Sequence, residues 1–450
     1  MTNADVFSPA TLAASLYERL GLAPSAPLKV AFSGGLDSHA LLYALAGLRA
    51  EHGTAMALTA LHIDHGIHPD SAEWARHCQQ VCAGLGVTFR SQRVQLFAVA
   101  DNGLEAAARH ARYAALKQQL APGEVLLTAH HLDDQAETVL LQLMRGAGVH
   151  GLAGIAPVCD FGAGRLARPL LDVSRATLLA YAQRHGLNWI EDDSNSNLRH
   201  RRNVIRHRIL PQLQEQWPRA AELLARSACH AGEAAGLLDA LAAADLNTCE
   251  RDHATLSVAA LRALSRPRLA NALRCWLRRQ GLSTPSSMHL TELIASIARD
   301  PASGHACLSW PGVELWRYRD DLHAAPPLPR PDTGLDLPWD MTAPLDAPQF
   351  GWRLQAVASQ GEGLATARLP TKPLHVRLRR GGETCRLPGR QHRHKLKKLL
   401  QANHISPWLR PRMPLLYVGD ELAAIADLWV CEPYAARAGE PGVRLVLRNL

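Results

Sequence analysis

Hydrophobic and polar positions in the first third of the chain alternate in a way that predicts strands and helices in turn. The apolar run Leu28–Phe32 is typical of a short buried strand, and leucines and alanines recur behind it at helical spacing from Ala40 to Leu48. The same patterns predict three more strands and two more helices: strands Ala55–Ile63, Val87–Val94 and Glu124–Thr128, and helices Ser71–Leu85 and Glu105–Leu120. This alternation predicts an α/β domain whose parallel sheet is covered by helices on both faces.

Polar clusters follow three of the predicted strands at their carboxyl ends. They are Ser33–Ser38 (SGGLDS), His62–Gly66 and Ala129–Asp134. Because the carboxyl ends of parallel strands meet at one edge of a sheet, and ligands bind there, the sequence predicts a ligand site at this edge.

The SGGLDS segment joins the first strand to the first helix. Gly34 and Gly35 allow a tight turn and a close approach of the backbone to a ligand, and Asp37 or Ser38 can cap the helix. A helix amino terminus behind such a turn suits an anion, most often phosphate. The segment alone is equally compatible with an ordinary strand-to-helix turn.

The strand-end segment Thr128–Thr138 (TAHHLDDQAET) is unusually polar for the end of a buried strand. Asp133 and Glu137 are four residues apart, so on a helix they share one face. Two carboxylates beside a phosphate loop suit magnesium, which prefers oxygen ligands and substrate phosphates. The alternative is that Asp133 and Asp134 only cap the helix.

The rest of the chain has a different texture. From about Pro211 to Arg299 it is rich in alanine and leucine and predicts helices, and two short strands are expected at His305–Ser309 and Val313–Tyr318. A proline-rich linker is predicted at 324–340, followed by a small α+β module. We therefore predict three domains: 1–215, 216–325 and 341–450.

Charge points to an acidic partner. The 450 residues carry a formal charge of +8 with a pI near 9.2. Leu198–Arg208 holds five arginines and no acid, and Thr371–Arg412 holds twelve lysines and arginines against Glu383. Each stretch alone is compatible with a solvated surface, but the two together favour contact with an RNA backbone.

Cysteines and the amino terminus indicate a reduced, cytoplasmic compartment. Nine cysteines are scattered without a CxxC pair, and Cys78 and Cys82 are interpreted as packing residues. Neither a signal peptide nor an apolar run long enough to span a bilayer is expected. The histidines near the site are expected to hydrogen-bond or pack rather than to bind zinc: His62, His65, His68, His130 and His131.

SGGLDS together with HHLDDQAET resembles the PP-loop ATP pyrophosphatases, the adenine nucleotide alpha hydrolase-like fold. Further stretches narrow the resemblance to the tRNA(Ile)-lysidine synthetase family: Glu105–Tyr113, Arg145–Leu152, Asp192–Arg206, Lys395–Leu400 and Pro407–Leu415. The matches cover mainly the first 215 residues and part of the last module, whereas the middle region is similar only in position and texture.

The resemblance implies a two-step reaction on the wobble cytidine of a tRNA(Ile) with a CAU anticodon. ATP adenylates the C2 oxygen of cytosine, and free L-lysine then displaces AMP with its ε-amine. The implied cofactors are ATP and Mg²⁺, no membrane is involved, and a homodimer is an expected assembly.

The resemblance also implies roles for individual residues. The pyrophosphate would be held by the loop residues Ser33, Gly34, Gly35, Leu36, Asp37 and Ser38. Magnesium would be ligated by Asp37 and Asp133. The implied catalytic residues are Asp37, Arg112, Asp133, Glu137 and Arg206, and for Glu137 the roles of metal ligand, lysine anchor and base all stay open.

Substrate contacts are implied for a further set: Arg109, Arg202, Asn203, Lys397, Lys398, Trp408 and Arg410. For Trp408, stacking on an exposed base and packing in the core of the small module are both open. Asn197 and His200 depart from the family pattern, at positions where an acidic and an aromatic residue are common, which puts local contacts around Arg202 in doubt.

Two other functions compete with this interpretation. A PP-loop tRNA thiolase would need paired or catalytic cysteines near the site, and neither motif contains one. A nucleotide-dependent RNA-binding protein without chemistry would not need the carboxylates and arginine pairs together.

Overall fold

The computed structural model describes residues 6–52, 56–64, 66, 68–94, 104–192, 197–299, 306–327, 331, 334–370 and 373–449. The chain forms two compact units, Met1–Leu237 and Leu238–Leu450. The boundary between them falls inside one long helix, Ala220–Cys249, so the predicted three-domain division stays a prediction.

A six-stranded sheet with β1 near its centre forms the core of the first unit. Its strands are β1 (Leu28–Ala31), β2 (Leu58–Asp64), β3 (Thr88–Arg93), β4 (Val125–Leu127), β5 (Val158–Phe161) and β6 (Gly164–Ala167). The order is β3-β2-β1-β4-β6-β5, and all neighbours are parallel except β5 and β6. The strand order reverses between β1 and β4, which is where ligands bind in such sheets.

Helices lie between and after these strands along the chain. They are α1 (Pro9–Ala14), α2 (Leu36–His52), α3 (Ser71–Gly84), α4 (Leu104–Gln118), α5 (Leu132–Met144), α6 (Val149–Leu152), α7 (Arg175–Arg184), α8 (Arg201–Val204), α9 (Leu210–Gln216) and α10 (Ala220–Cys249). The apolar stripe of α2 packs with Val30 and Phe32 of the sheet in one core, through Leu41, Leu45 and Leu48. Burial of this stripe, not helix propensity alone, holds the loop before α2 in place.

The predicted α/β domain is confirmed, with one addition. The strands and helices expected up to residue 128 are present with bounds that differ by a few residues, and residue 55 at the start of one expected strand lies outside the described residues. The β5–β6 hairpin was not predicted, because its alternating polar residues give no apolar run.

An antiparallel sheet joins the helices of the second unit. After α10 come α11 (Val258–Arg262), α12 (Arg266–Arg279), α13 (Ser287–Ala298) and the strands β7 (Glu250–Asp252), β8 (Thr255–Ser257), β9 (Ala306–Trp310), β10 (Val313–Tyr318) and β11 (Asp321–Ala325). The sheet order is β7-β8-β11-β10-β9, and Trp276 lies fully buried in the shared core. The middle region is therefore less purely helical than predicted.

The last part of the chain is a module of short strands and one helix, as predicted. Its elements are β12 (Asp336–Trp339), β13 (Leu345–Ala347), β14 (Trp352–Gln360), β15 (Leu364–Ala365), β16 (Leu374–Arg377), β17 (Thr384–Cys385), β18 (His394–Lys395), α14 (Leu396–Ala402), β19 (Leu415–Val418), β20 (Glu421–Ile425), β21 (Trp429–Val430) and β22 (Pro441–Asn449). The ladder between β14 and β22 runs from Trp352 opposite Asn449 to Gln360 opposite Pro441. Because β11 and β12 enter the stretch 324–340, the linker is shorter than predicted.

Among the described residues, no helix combines the length and the apolar character that crossing a membrane requires.

Candidate active site

The predicted phosphate loop lies between β1 and α2. Because α2 begins at Leu36, Asp37 and Ser38 lie in its first turn. Ser38 Oγ donates to the carbonyl oxygen of Gly35 at 3.0 Å and lies 3.1 Å from Ser33 Oγ, which ties the turn together. The first amides of a helix have no partner within it and carry partial positive charge, so this turn suits the phosphates of a nucleotide.

Gly34 is required at its position for two reasons. Its φ of +82° lies in the left-handed region, and a Cβ there would stand 2.5 Å from Ile190 Cδ1 and 2.9 Å from Cys78 Sγ. The carbonyl oxygen of Gly34 also accepts a hydrogen bond from Ile190 N at 3.0 Å. The loop is therefore held tightly against the residues behind it.

Cys78 lies beneath the loop but is not suited to be a nucleophile. It is fully buried, and burial raises the pKa of its thiol to about 12. The nucleophile in cysteine chemistry is the thiolate. The packing interpretation of Cys78 is confirmed, and a thiol-dependent reaction at the loop is disfavoured.

His131 links the loop to the carboxylate-rich start of α5. Its ring is almost fully buried, and Nε2 lies 3.7 Å from Asp37 Oδ2 and 3.5 Å from Asp134 Oδ2. Nδ1 lies 3.4 Å from Asp133 Oδ2. The backbone N–H of His131 donates to Asp134 Oδ2 at 3.1 Å, so Asp134 also caps the helix.

Electrostatics favour a charged imidazolium at this position. Burial alone would lower the pKa of His131, but the carboxylates of Asp133, Asp134 and Asp37 outweigh it and hold that pKa above its usual range. Burial would raise the pKa of Asp133 and of Asp134, yet the charge of His131 helps to hold both below their usual range. The pKa of Asp37 is raised, because the effect of its burial is larger than the opposing effect of His131.

A second group of charges surrounds Glu137, which is fully buried. Arg202 Nε donates to Glu137 Oε2 at 2.6 Å, and Arg206 Nε donates to Glu137 Oε1 at 2.5 Å. Both guanidinium groups also donate to Asp134 Oδ1, at 2.8 and 3.0 Å. Arg206 lies in a single π-helical turn, Ile205–Ile209, and such turns are frequent at functional sites.

The four-residue spacing predicted that Glu137 acts together with Asp133. In the structure, Glu137 shares its arginine partners with Asp134 instead. Asp133 Oδ2 instead accepts the backbone N–H of Arg175 at 2.8 Å, at the start of α7. Sequence reasoning missed Asp134 as a site residue and gave it only a capping role. The sequence did contain a pattern that could have identified Asp134. Asp134 and Glu137 are three residues apart, and Arg202 and Arg206 are four apart, so the members of each pair can share one face of a helix.

Asp37 has a carboxylate oxygen that could take a metal ion. Its Oδ1 is buried and has no hydrogen-bond partner among the described residues. Within the described part of the chain, no group of three or more acidic, histidine or cysteine side chains is arranged to hold a metal by itself. A magnesium ion here would therefore take most of its oxygens from a nucleotide and from water, which is its usual preference.

Arg112 and Arg109 flank the ring of Tyr113 on α4. Their guanidinium carbons lie 5.8 and 5.2 Å from the ring centroid. Burial lowers the pKa of Arg112, and no carboxylate forms an ion pair with it in the part of the chain that the structure describes. A partly buried cation without an anion is costly, so Arg112 is suited to receive a ligand phosphate.

The remaining predicted residues of the first unit have structural partners. Asn203 Nδ2 donates to the carbonyl oxygen of Asn197 at 2.9 Å. His62 Nδ1 lies 3.0 Å from the carbonyl oxygen of Phe32, and His130 Nδ1 lies 2.9 Å from Thr128 Oγ1. His65 and residues 193–195 lie outside the described residues.

In the second unit, the predicted substrate residues fall into two kinds. Lys397 and Lys398 are exposed on α14. Trp408 is half-buried against Trp316, and Arg410 is buried with Tyr318 as a partner. The structure thus gives Trp408 and Arg410 partners within the chain, in line with the packing alternative for Trp408.

The sheet, the loop and the carboxylate helix define a PP-loop domain, and the family model of that description matches residues 10–213. Models described as the TilS substrate binding domain and the TilS substrate C-terminal domain match residues 256–323 and 374–447. The chain is 42% identical over 440 residues to a tRNA(Ile)-lysidine synthase of Alkalilimnicola ehrlichii, covering 98% of this chain and 96% of the relative. It is 40% identical over 413 residues to that of Coxiella burnetii, covering 92% and 91%.

The chain belongs to the tRNA(Ile)-lysidine synthase family. The resemblance inferred from its motifs is confirmed, and so is the use of ATP that the PP-loop family implies.

Proposed function

We propose that this protein ligates L-lysine to C2 of the wobble cytidine in a tRNA(Ile) with a CAU anticodon, at the expense of ATP. The observation that carries the proposal is one connected network. It runs from the phosphate loop through Asp37 and His131 to Asp134, and from there to Arg202 and Arg206.

In the first step, the C2 oxygen of cytosine attacks the α-phosphorus of ATP. A bond from that oxygen to phosphorus forms, and the bond to pyrophosphate breaks. Charge builds up on the leaving pyrophosphate, where the amides at the start of α2 and the hydroxyls of Ser33 and Ser38 would stabilise it. Arg112, which lacks an acidic partner among the described residues, would hold a further phosphate.

Magnesium, when bound, supplies positive charge to the phosphates. Asp37 Oδ1 would be its protein ligand, and Asp133 stays a predicted second ligand although Arg175 N and His131 already contact it. The raised pKa of Asp37 fits a carboxylate that gains stability as an anion once a cation arrives.

In the second step, the ε-amine of lysine attacks C2, the bond from C2 to the adenylated oxygen breaks, and AMP leaves. The amine must lose a proton, and a carboxylate is the candidate acceptor. Glu137 keeps its three predicted roles of metal ligand, lysine anchor and base, while its contacts with Arg202 and Arg206 support a fourth role, that of holding these arginines in place. The arginines would stabilise charge on the departing AMP.

Contacts with tRNA are proposed for the basic surface of α14, chiefly Lys397 and Lys398, and for the arginine-rich segment around Arg202. A homodimer and a cytoplasmic location stay predictions.

The test supplies purified protein with ATP, Mg²⁺, radiolabelled lysine and a tRNA(Ile) carrying the CAU anticodon. We expect label to enter the tRNA, with one AMP and one pyrophosphate released per lysine. An elongator tRNA(Met), which has the same anticodon, is the control and should remain unlabelled. Release of AMP without label in the tRNA would support a different PP-loop reaction, such as thiolation, and tRNA binding without AMP release would support a binding protein; either result refutes the proposal.

A further inference from the structure

The second unit contains a joint formed by residues 404–412, which we call the latch. The latch follows the basic helix α14 and precedes β19. On one side it is fixed to the last module: Ile405 N donates to the carbonyl oxygen of Leu400 at 3.0 Å. The indole N–H of Trp352, a core residue of that module, donates to the carbonyl oxygen of Arg412 at 2.9 Å. The latch is therefore attached to the module at both of its ends.

On its other side the latch contacts the β10–β11 hairpin. Trp316 and His323 are directly opposite each other on these strands and present one flat surface. The ring of Trp408 stacks on both, with centroid distances of 5.3 and 5.5 Å and interplanar angles of 15° and 16°. Offset stacking of this kind adds stability beyond the area that it buries.

Arg410 completes this contact. Its side chain is buried, Nη2 donates to the hydroxyl of Tyr318 at 3.2 Å, and the guanidinium carbon lies 5.6 Å from the centre of the Tyr318 ring. Nε donates to the carbonyl oxygen of Ile405 at 2.8 Å. Arg410 is therefore held by the latch and the hairpin together, with its charge directed into the joint.

Backbone strain is concentrated at the same joint. Arg319, in the turn of the hairpin, has a φ of +56°, and His404, at the start of the latch, has a φ of +60°. Glycine would adopt this conformation without a steric penalty, whereas other residues incur a cost. The side chains of Arg319 and His404 are in hydrogen-bond contact with each other, which gives a reason for side chains at both strained positions.

We propose that the latch docks the last module on the β10–β11 hairpin, and that Trp408 and Arg410 are positioning residues for tRNA rather than contacts to it. This inference rests on the proposed function. Once the neighbouring part of the unit has bound tRNA, docking keeps the basic surface of α14 close to that tRNA. The effective concentration of this surface is thereby raised. Loss of the latch then weakens tRNA binding without loss of any contact to phosphate.

The first experiment measures tRNA affinity against salt concentration in the full-length protein. We expect Trp408→Ala and Arg410→Met to raise the tRNA Kd about tenfold or more, with ATP affinity and kcat at saturating tRNA unchanged. The slope of log affinity against log salt should equal that of the wild type. The control Lys397→Gln/Lys398→Gln should make that slope shallower by about one for each phosphate contact that is lost. An unchanged Kd for the latch variants, or a slope lowered by about one in Arg410→Met, would overturn the proposal.

The second experiment is a double-mutant cycle of Trp316→Ala and Trp408→Ala on tRNA Kd. If the two rings affect tRNA binding only through their contact with each other, the double variant should bind tRNA no more weakly than the weaker-binding single variant. Additive losses would mean that Trp408 stacks on a base of tRNA. Trp408→Phe, which keeps a ring that can stack, should recover most of the affinity and guards against a folding defect.

A third readout needs no tRNA. Stacked indoles give a coupled signal in far-ultraviolet circular dichroism, which should disappear in both Trp316→Phe and Trp408→Phe. Persistence of this signal in either variant contradicts the joint itself. If wild-type protein transfers no lysine but shows the signal, the proposed function fails while the docking of the latch stands.

Discussion

Asp37 connects the phosphate loop to the charged network and has one oxygen without a partner among the described residues. Asp37→Asn keeps the size of the side chain but removes the charge that a metal needs. Because burial raises the pKa of Asp37, its charge is not a source of stability, so the variant should melt at or slightly above the wild-type temperature. We expect lysine transfer to fall by about a hundred- to a thousandfold, the scale of losing one electrostatic contact to a transition state. Calorimetry and the transfer assay measure the two effects, and a lower melting temperature with intact activity would contradict this role.

Glu137 holds two arginines while fully buried, so its removal has a large energetic effect. Glu137→Gln removes one of the two acidic partners that Arg202 and Arg206 share, and leaves them Asp134. We expect the free energy of unfolding to fall by about 3 kcal/mol, the scale for breaking a buried ion pair from one side. Urea denaturation of the whole chain measures this change.

The matched control for that variant is Asp346→Asn. Asp346 pairs with Arg353 at 2.5 Å, but both side chains are more than 40% exposed. Solvent screens exposed pairs, so the free energy of unfolding should fall far less in this control than in Glu137→Gln. Equal losses of unfolding free energy in the two variants would show that the burial of Glu137 does not determine the size of its effect on stability.

His130 predicts a pH dependence of stability. Burial, together with Arg168, Arg202 and Arg109, lowers its pKa to about 3, so the folded chain does not protonate it between pH 6.5 and 3. The unfolded chain does so below about pH 6.5. The free energy of unfolding should therefore fall as pH decreases through this range, by up to roughly 1 kcal/mol per unit from this residue. His130→Gln should show a shallower fall between pH 6.5 and 4.5, and identical slopes would argue against the buried neutral histidine.

At the scale of single residues, the sequence identified the members of the site better than their partners. Asp37, Glu137, Arg202 and Arg206 were predicted and do lie in one network. Asp133 was paired with Glu137, because the turn at which α5 begins decides which carboxylate faces the arginines. That turn is set by the capping of His131 N by Asp134, a tertiary detail that periodicity does not contain.

The loop before α2 depends on a conformation that only glycine adopts easily. Gly34→Ala combines a φ of +82° with a Cβ 2.5 Å from Ile190 Cδ1. We expect loss of ATP binding and a stability loss larger than the roughly 1–3 kcal/mol of backbone strain alone. The measurements are ATP affinity by titration calorimetry and urea denaturation.

Gly123→Ala separates strain from crowding. Gly123 has nearly the same φ, +83°, but a Cβ there meets nothing within 4 Å. It should show the strain cost only and bind ATP normally. If Gly123→Ala also abolishes ATP binding, the close packing behind Gly34 is not the cause.

Helices and strands that consist of apolar runs could be predicted from the sequence. Those whose conformation depends on contacts with distant residues could not. β1 and α2 bury continuous or periodic leucines, which fixes their type locally. The β5–β6 hairpin and the π-helical turn carrying Arg206 have no such pattern. Their conformations follow from the sheet edge and from the buried acids that they meet.

At the scale of the whole molecule, the basic stretch in the last module cannot be tested by truncation. A cut at residue 371 would remove the basic stretch but also β22, which pairs with β14 along nine residues. It would expose the core around Trp352 and Leu354. We expect such a truncation to unfold what remains of the module, so a loss of tRNA binding would not report on its charges.

Removing the charges while keeping the chain is the sharper test of the basic surface. Lys395, Lys397 and Lys398 are exposed around the start of α14, and their replacement by glutamine leaves the core residues Leu396, Leu399 and Leu400 untouched. We expect weaker tRNA binding, with the slope of log affinity against log salt lower by up to about three, and unchanged ATP affinity. Arg353→Gln is the control, because it removes one cation whose charge Asp346 already neutralises, and it should leave the slope unchanged. Equal slopes for wild type and the triple variant would mean that the positive charge of the module, although large, faces solvent and not RNA.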